Sequence, residues 1–413
     1  MIEVPKTNTA ITPQLQEYRR EMEAELKRIL SFWAENTVDE KQGGFVGQID
    51  NKGQINKDAP KGSVLNARIL WSFAAAYRHT QNPAYLPLAE RAFNYILDHF
   101  LDQEFGGIYW SVDAQGKALS TRKQIYGLAF VIYGMSEYYL ATQNPRALQV
   151  SQELYNWIEQ YSYDSQYEGY WEAFSREGEL LEDLRLSEKD RNDPKTMNTH
   201  LHILEAYTNL YRIWPDETLK QKIENLINVF LRHIIHPETN RMKLFLTRDW
   251  QASADLVSYG HDIEASWLLY EAAEVSDNQE IIKQVEKIAL NMAEATAAAL
   301  LPDGSLYHEY DITTNHYDKH REWWVSAEAM VGFFNAYQLT QNENFYQYSI
   351  NAWQFAKKYL LDIKQGEWFW GVNDDYSLMQ ENDKIGFWKC PYHNSRSCLE
   401  IINRINRINL KAI

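Results

Sequence analysis

The chain has little sulfur to build with: two cysteines in 413 residues, Cys390 and Cys398. They lie close together with no CxxC and no metal-ligand spacing, which excludes a disulfide framework and makes a reduced, cytoplasmic protein the expectation. Long hydrophobic runs are missing too. No apolar stretch approaches the roughly 18 residues that a membrane span needs. Met1–Ala10 has neither the basic nor the apolar region of a signal peptide. Positive charge is scarce, with 41 Lys and Arg against 57 Asp and Glu for a net charge of −16. That balance argues against nucleic acid and anionic membranes as partners and leaves a neutral small molecule open. Neither GxSxG nor HExxH occurs, so serine-nucleophile and zincin chemistry have no motif to rest on.

Aromatic residues, by contrast, are plentiful, at 14% of the chain. They suit a site that stacks flat faces, although core packing consumes them as well. Short aromatic segments recur along the chain: Gly43-Gly44-Phe45-Val46-Gly47, Gly106-Gly107-Ile108-Tyr109-Trp110, Glu168-Gly169-Tyr170-Trp171-Glu172, Met242-Lys243-Leu244-Phe245-Leu246, Gly304-Ser305-Leu306-Tyr307-His308 and Glu367-Trp368-Phe369-Trp370-Gly371. Each reads as a small hairpin. Neighbouring copies lie about 62 residues apart, with one longer step of about 73.

Each interval has room for two helices separated by a polar break, as at Gln81-Asn82-Pro83, Gln143-Asn144-Pro145 and Gln341-Asn342-Glu343. The first helix of each pair is apolar nearly all round and should be buried; the second is amphipathic. With an opening helix near Leu15–Trp33 and a closing one near Cys398–Ile405, the count is twelve. The expected fold is all-α: an (α/α)6 barrel of six inner and six outer helices, with short β-hairpins at the active-site end, forming one domain over residues 1–413. The longer step is filled by the charged segment Asp183–Asp193, a loop that serves either as a lid or as a plain surface insertion.

In such a barrel the starts of the inner helices meet at one end. That phase holds Arg68, Tyr126, Asn198 with His200, His261 with Glu264, Trp324, and Trp388 with His393. Leu and Ala would fill a core; this set describes a polar pocket with flat walls. Each member has a structural alternative. Arg68 would serve as an ion-pair partner, Tyr126 and the tryptophans as packing, and His261 as a histidine in a capped helix start. His261 and Glu264 are three apart on one helix face, where the carboxylate can accept the ring N–H and set the tautomer. His202, two residues on from His200, falls on another face and reads as a core histidine. His79, His99, His233, His236, His308, His316 and His320 read as surface or structural.

Three histidines without a carboxylate pair point to proton transfer near neutral pH, because a free imidazole titrates near about 6.5. A three-histidine zinc site is the competing use, but close ligand spacing is missing. Glycoside hydrolysis would need two carboxylates, and Glu264 with Asp262 or Asp193 is the best pair on offer.

The stretches Asn192-Asp193-Pro194-Lys195-Thr196-Met197-Asn198-Thr199-His200-Leu201-His202, Tyr259-Gly260-His261-Asp262-Ile263-Glu264-Ala265-Ser266-Trp267, Trp323-Trp324-Val325, Gly332-Phe333-Phe334-Asn335-Ala336-Tyr337 and Trp388-Lys389-Cys390-Pro391-Tyr392-His393-Asn394 resemble the cellobiose-acting branch of the N-acylglucosamine 2-epimerase superfamily. The resemblance spans essentially the whole chain. It implies an (α/α)6 barrel that inverts C2 of the reducing-end glucose of β-1,4-linked disaccharides. It further implies His261 and His393 as the acid/base pair, His200 at the C1–C2 oxygens, and Glu264 orienting His261. Arg68, Tyr126 and Asn198 are implied to bind the reacting sugar, and Trp324 and Trp388 to hold the disaccharide. No cofactor and no metal are expected, and the protein is expected to be a monomer, a weak dimer being the alternative. An aldose–ketose isomerase on the same scaffold is the second reading.

Overall fold

The computed structural model of the protein describes residues 12–411; Met1–Ala10, read above for a leader, lies outside them. Among the described residues there are twelve helices: α1 (Pro13–Asn36), α2 (Ser63–Thr80), α3 (Leu86–Tyr95), α4 (Ile125–Thr142), α5 (Pro145–Tyr161), α6 (Met197–Tyr211), α7 (Glu217–Val229), α8 (Tyr259–Ser276), α9 (Gln279–Ala297), α10 (Trp323–Thr340), α11 (Glu343–Phe355) and α12 (Tyr392–Lys411). None is long and apolar enough to cross a membrane.

Three of the polar breaks do two jobs in two residues. Gln81, Gln143, Asp277 and Gln341 enter the left-handed region, with φ of 56°, 58°, 54° and 58°, and stop the inner helix. The next residue of three of these pairs, Asn144, Asn278 or Asn342, then caps the outer helix with its side chain. The chain therefore doubles back at once, and each helix pair is antiparallel.

Helix α4 is buried at every position from Ile125 to Tyr138, so it has neighbours on all sides. α9 buries only Ile281, Val285, Ala289, Met292, Ala293 and Thr296, a single stripe. The ring follows from this difference. α2, α4, α6, α8, α10 and α12 pack each on the next, and α12 closes onto α2, while each outer helix backs an inner one. The expected (α/α)6 barrel is the observed fold.

The hairpins are more than local. Leu101 bridges Ile108 and Tyr163 bridges Tyr170 within single segments. The longer ladders, however, join successive units: Lys61–Gly62, which leads into α2, pairs antiparallel with Ser111–Val112, and Lys123–Gln124, which leads into α4, pairs with Ala173–Phe174. Spacing along the sequence cannot reveal pairing between units. A buried ion pair bolts the lead-ins down. Asp102 accepts the N–H groups of Glu104 and Phe105 through one oxygen and binds the Lys123 ammonium at 2.8 Å through the other. Asp39 with Lys61, Asp164 with Lys195 and Asp362 with Lys384 repeat the device.

Candidate active site

The inner-helix starts converge in two tiers. The upper tier holds Tyr126, Asn198, His261, Trp324 and His393, close to the helix N-termini. One turn deeper along the same helices stand Arg68, His202 with Glu205, Glu264, Glu328 and Arg396. This deeper tier was only partly foreseen.

His393 is 6% exposed. Its Nδ1 lies 2.7 Å from the Glu328 carboxylate. With Nδ1–H donating there, the Nε2 lone pair is left free. Glu328 also accepts from Trp267 Nε1 at 3.1 Å and from Arg396 at 2.7 Å. Arg396 donates in addition to Glu264 at 2.7 Å and to Glu205. Three carboxylates thus surround one buried guanidinium. Burial and the neighbouring Glu328 push Glu264 up, whereas Arg396 and His393 hold Glu328 down against its own burial. The Lys389–Asn394 stretch is clamped by Glu367, which accepts from Lys389 Nζ at 3.0 Å and from Asn394 at 2.6 Å, on either side of the Pro391–His393 turn. Burial holds the His393 imidazole down to about 3, with Glu328 pulling the other way.

His261 has lighter support. Its Nδ1 meets the Ser258 hydroxyl at 2.7 Å, and its ring lies 4.7 Å from the Trp324 indole. Burial again brings it to about 3, with His202, His308 and His393 adding repulsion. Trp324 also stands 5.9 Å from His393, so one indole touches both imidazoles. Gly260 makes this possible: a Cβ there would come within 2.5 Å of the Trp324 ring. The indole N–H is fixed on Glu322 at 2.6 Å.

Arg68 donates to the Tyr126 hydroxyl at 2.9 Å and lies 4.1 Å over the Phe130 ring. Asn198 Oδ1 is buried and without a hydrogen-bond partner among the described residues, as an atom awaiting a ligand would be. Trp388 is half-buried and leans on Trp110 at 5.8 Å and Tyr126 at 5.9 Å. The charged loop folds over the cleft. Leu184, Arg185, Leu186, Asp190 and Asp193 line a space of about 530 Å³ together with Asn198, His261 and Glu309. It is tied down by Arg122 to the Asp183 carbonyl at 2.6 Å and by Gln124 to the Arg185 carbonyl at 2.7 Å.

Two expectations are corrected. Glu264 does not hold His261: its near partner is Arg396, and the histidine within its reach is His393, 4.0 Å away. The two residues share a helix face, but the charged guanidinium outbids a neutral imidazole for the carboxylate. His200 is not free for a sugar. Its Nδ1 bonds the Thr196 carbonyl at 2.7 Å, and its Nε2 accepts the Tyr170 N–H at 2.9 Å beneath Gly169. It is fully buried and held down to about 3 by that burial. His202 faces the site instead, its Nδ1 on Glu205 at 2.8 Å and its ring 5.1 Å from Tyr126. The aspartates named for a hydrolytic pair are engaged by arginines: Asp262 binds Arg241 at 3.0 Å and Asp193 binds Arg191 at 3.2 Å.

Glu328, Glu205, Arg396 and Glu322 were missed. A signal existed for three of them, since Glu205 and Arg396 stand three residues after His202 and His393, and Glu328 four after Trp324.

Residues 43–395 match the family of N-acylglucosamine 2-epimerase (GlcNAc 2-epimerase). Over 385 residues the chain is 47% identical to a cellobiose 2-epimerase of Bacteroides fragilis, a match covering 93% of this chain and 98% of the relative. The solved structure of cellobiose 2-epimerase from Spirochaeta thermophila DSM 6192 is similar with a TM-score of 0.91 at 37% identity, covering 98% of this chain and all of that one. That from Bacillus thermoamylovorans B4167 follows at 0.89 and 40% identity, covering 95% and 100%.

Proposed function

The chain belongs to the N-acylglucosamine 2-epimerase family, and from that premise we propose that it is a cellobiose 2-epimerase. It inverts C2 of the reducing-end glucose of β-1,4-linked disaccharides, turning cellobiose into glucosyl-mannose and lactose into epilactose. The observation that carries this reading is the His393–Glu328 pair beside His261: two imidazoles against one indole, both favoured neutral by burial.

The chemistry follows from the substrate. In the closed ring the C2 proton is not acidic, so a first proton transfer opens the ring to the aldehyde. The C2–H bond then lies alpha to a carbonyl. One imidazole takes that proton, the C–H electron pair becomes the C1–C2 double bond, and O1 takes the negative charge. Return of a proton to C2 from the other face inverts the centre, which calls for a second acid/base group. Burial favours the neutral form of both imidazoles, the state in which one can accept the C2 proton. The other takes up a proton from solvent, gives it to C2 from the opposite face, and the first then returns its proton to solvent. An imidazolium formed at His393 sits against the Glu328 carboxylate. Arg68, with its permanent charge, and Asn198, with its unpartnered amide oxygen, bind the reacting sugar, and His202 takes the place at the C1–C2 oxygens first given to His200. Trp324 and Trp388 hold the sugar faces. The aldehyde itself serves as electron sink.

The test is incubation with cellobiose in D2O, followed by NMR. Glucosyl-mannose with deuterium at C2 is expected. A ketose labelled at C1 as the sole product, or free glucose, would overturn the reading in favour of an isomerase or a hydrolase.

A further inference from the structure

Two clusters among the described residues bring three metal-type donors within reach of one ion: Glu264, Glu328 and His393, and His308, His320 and Glu322. The first is already filled, because Arg396 donates into both of its carboxylates. The second holds no such cation.

Its geometry comes from an irregular hairpin. The strands Glu309–Asp311 and His316–Asp318 pair antiparallel. At their base the His308 N–H donates to two carbonyls, of Asp318 at 3.1 Å and of His320 at 3.0 Å. One residue thus faces two, and the His308 and His320 rings come side by side, 4.4 Å apart and 26° from parallel. Glu322 follows His320 by two residues in extended chain and so shares its face. His320 Nε2 stands 3.0 Å from one Glu322 oxygen, and His308 Nδ1 3.9 Å from the other. That Nδ1 is buried and without a hydrogen-bond partner among the described residues.

Behind His320, Asp318 binds Nδ1. A carboxylate in that position fixes the tautomer that presents Nε2 to a metal and raises its basicity. Glu309 adds a third carboxylate, 3.9 Å from His308 Nε2. The neighbouring cations are engaged elsewhere: Lys319 reaches Asp374, and Arg321 the carbonyls of Asn373 and Asp374. About a fifth of each imidazole is exposed, so an ion can enter from solvent.

We propose that His308, His320 and Glu322 form a binding site for a first-row transition dication, with Zn2+ the best match. Two imidazole nitrogens, one carboxylate oxygen and a water complete a tetrahedron. The donors now lie within 4.8 Å of one another and would close to about 3.3 Å around an ion with bonds of about 2.0 Å. The site is inhibitory. Glu322 also accepts the indole N–H groups of Trp324 at 2.6 Å and Trp370 at 2.9 Å. An ion that claims this carboxylate shifts the anchor of the indole lying against both His261 and His393.

The test is calorimetric titration of Zn2+ into chelator-treated protein, repeated with Co2+, whose visible spectrum reports coordination. One ion per chain is expected. His308→Ala and His320→Ala should each weaken binding by a hundredfold or more, and Asp318→Asn by about ten- to a hundredfold. Thermal melts check folding, with His308→Gln as the conservative alternative. Sugar turnover by the unmodified protein should fall reversibly with Zn2+, and the fall should be absent in His308→Ala. No stoichiometric binding, or binding undiminished in both histidine variants, overturns the site. Binding without inhibition overturns its coupling to Trp324. The calorimetry reads the site whatever sugar the protein turns over, so its failure is distinct from failure of the epimerase reading.

Discussion

His393 and His261 both lie against the Trp324 indole, yet they are held in different ways. His393 is bolted to Glu328, inside a buried network of three carboxylates and Arg396 that also reaches Tyr392 and His202. His261 has one hydroxyl, Ser258, and borders the cleft covered by the charged loop. A carboxylate stabilises an imidazolium far better than a hydroxyl does, so in the proposed mechanism the His393 side holds a proton and the His261 side passes one on. The difference also separates rigidity from exposure: the ionic network locks one wall, and the charged loop lines the cleft beside the other.

The largest effect expected is from removing either imidazole. His261→Gln and His393→Gln should each lower epimerisation by roughly 10³-fold, within the range of about 10²–10⁴ for general acid–base catalysis. In D2O each variant keeps one imidazole and should exchange the C2 proton of one epimer only, the opposite one in each case. Proton NMR of both epimers reads this directly. Exchange and epimerisation surviving in either variant would break the pair.

Next in size are the supports. Glu328→Gln removes a charge-assisted hydrogen bond and should lower kcat/KM roughly a hundredfold, whereas Ser258→Ala removes a neutral one and should cost about tenfold. Steady-state kinetics on cellobiose gives both numbers. The reverse order would mean that His261, not His393, is the tightly held group.

The smallest effect is on stability against pH. His261 and His393 are both held to about 3, below the ordinary 6.5. Between those values the unfolded chain binds protons that the folded one does not. Their contribution is therefore complete above about pH 7 and is lost as pH falls toward about 3. Each group adds at most about 1.4 kcal/mol per pH unit to that slope. Urea unfolding of His261→Gln and His393→Gln at several pH values should show each slope reduced by one such group. A smaller reduction for His393→Gln would show how far Glu328 offsets its burial.

The barrel was legible because its signals are local. A left-handed residue stops an inner helix and, at Gln143-Asn144 and Gln341-Asn342, the next residue caps the outer one by a local bond. Six helix pairs add up to a closed ring. The ladders between units, such as Lys61–Gly62 with Ser111–Val112, were not legible, because their partners belong to different repeats. The upper tier of the site could be read from helix starts. Much of the deeper tier was harder to read, because Glu328 and Arg396 stand one turn past the helix starts. Their four- and three-residue spacing from Trp324 and His393 marks a shared face without showing which helix supplies the partner.

The amino-acid sequence by itself determined the helix count, their alternation of buried and amphipathic, and the end of the barrel at which polar residues collect. Only the tertiary structure decided which way each inner helix is turned. An inner helix that is apolar all round carries no stripe to orient it. His200 and His202, two residues and about 200° apart, are equivalent until the neighbours are in place. Packing turned His202 toward Arg68 and Tyr126 and left His200 beneath Gly169. For the same reason Glu264 went to Arg396: a carboxylate among several neighbours pairs with the cation that reaches it, and that cation comes from the last helix of the chain.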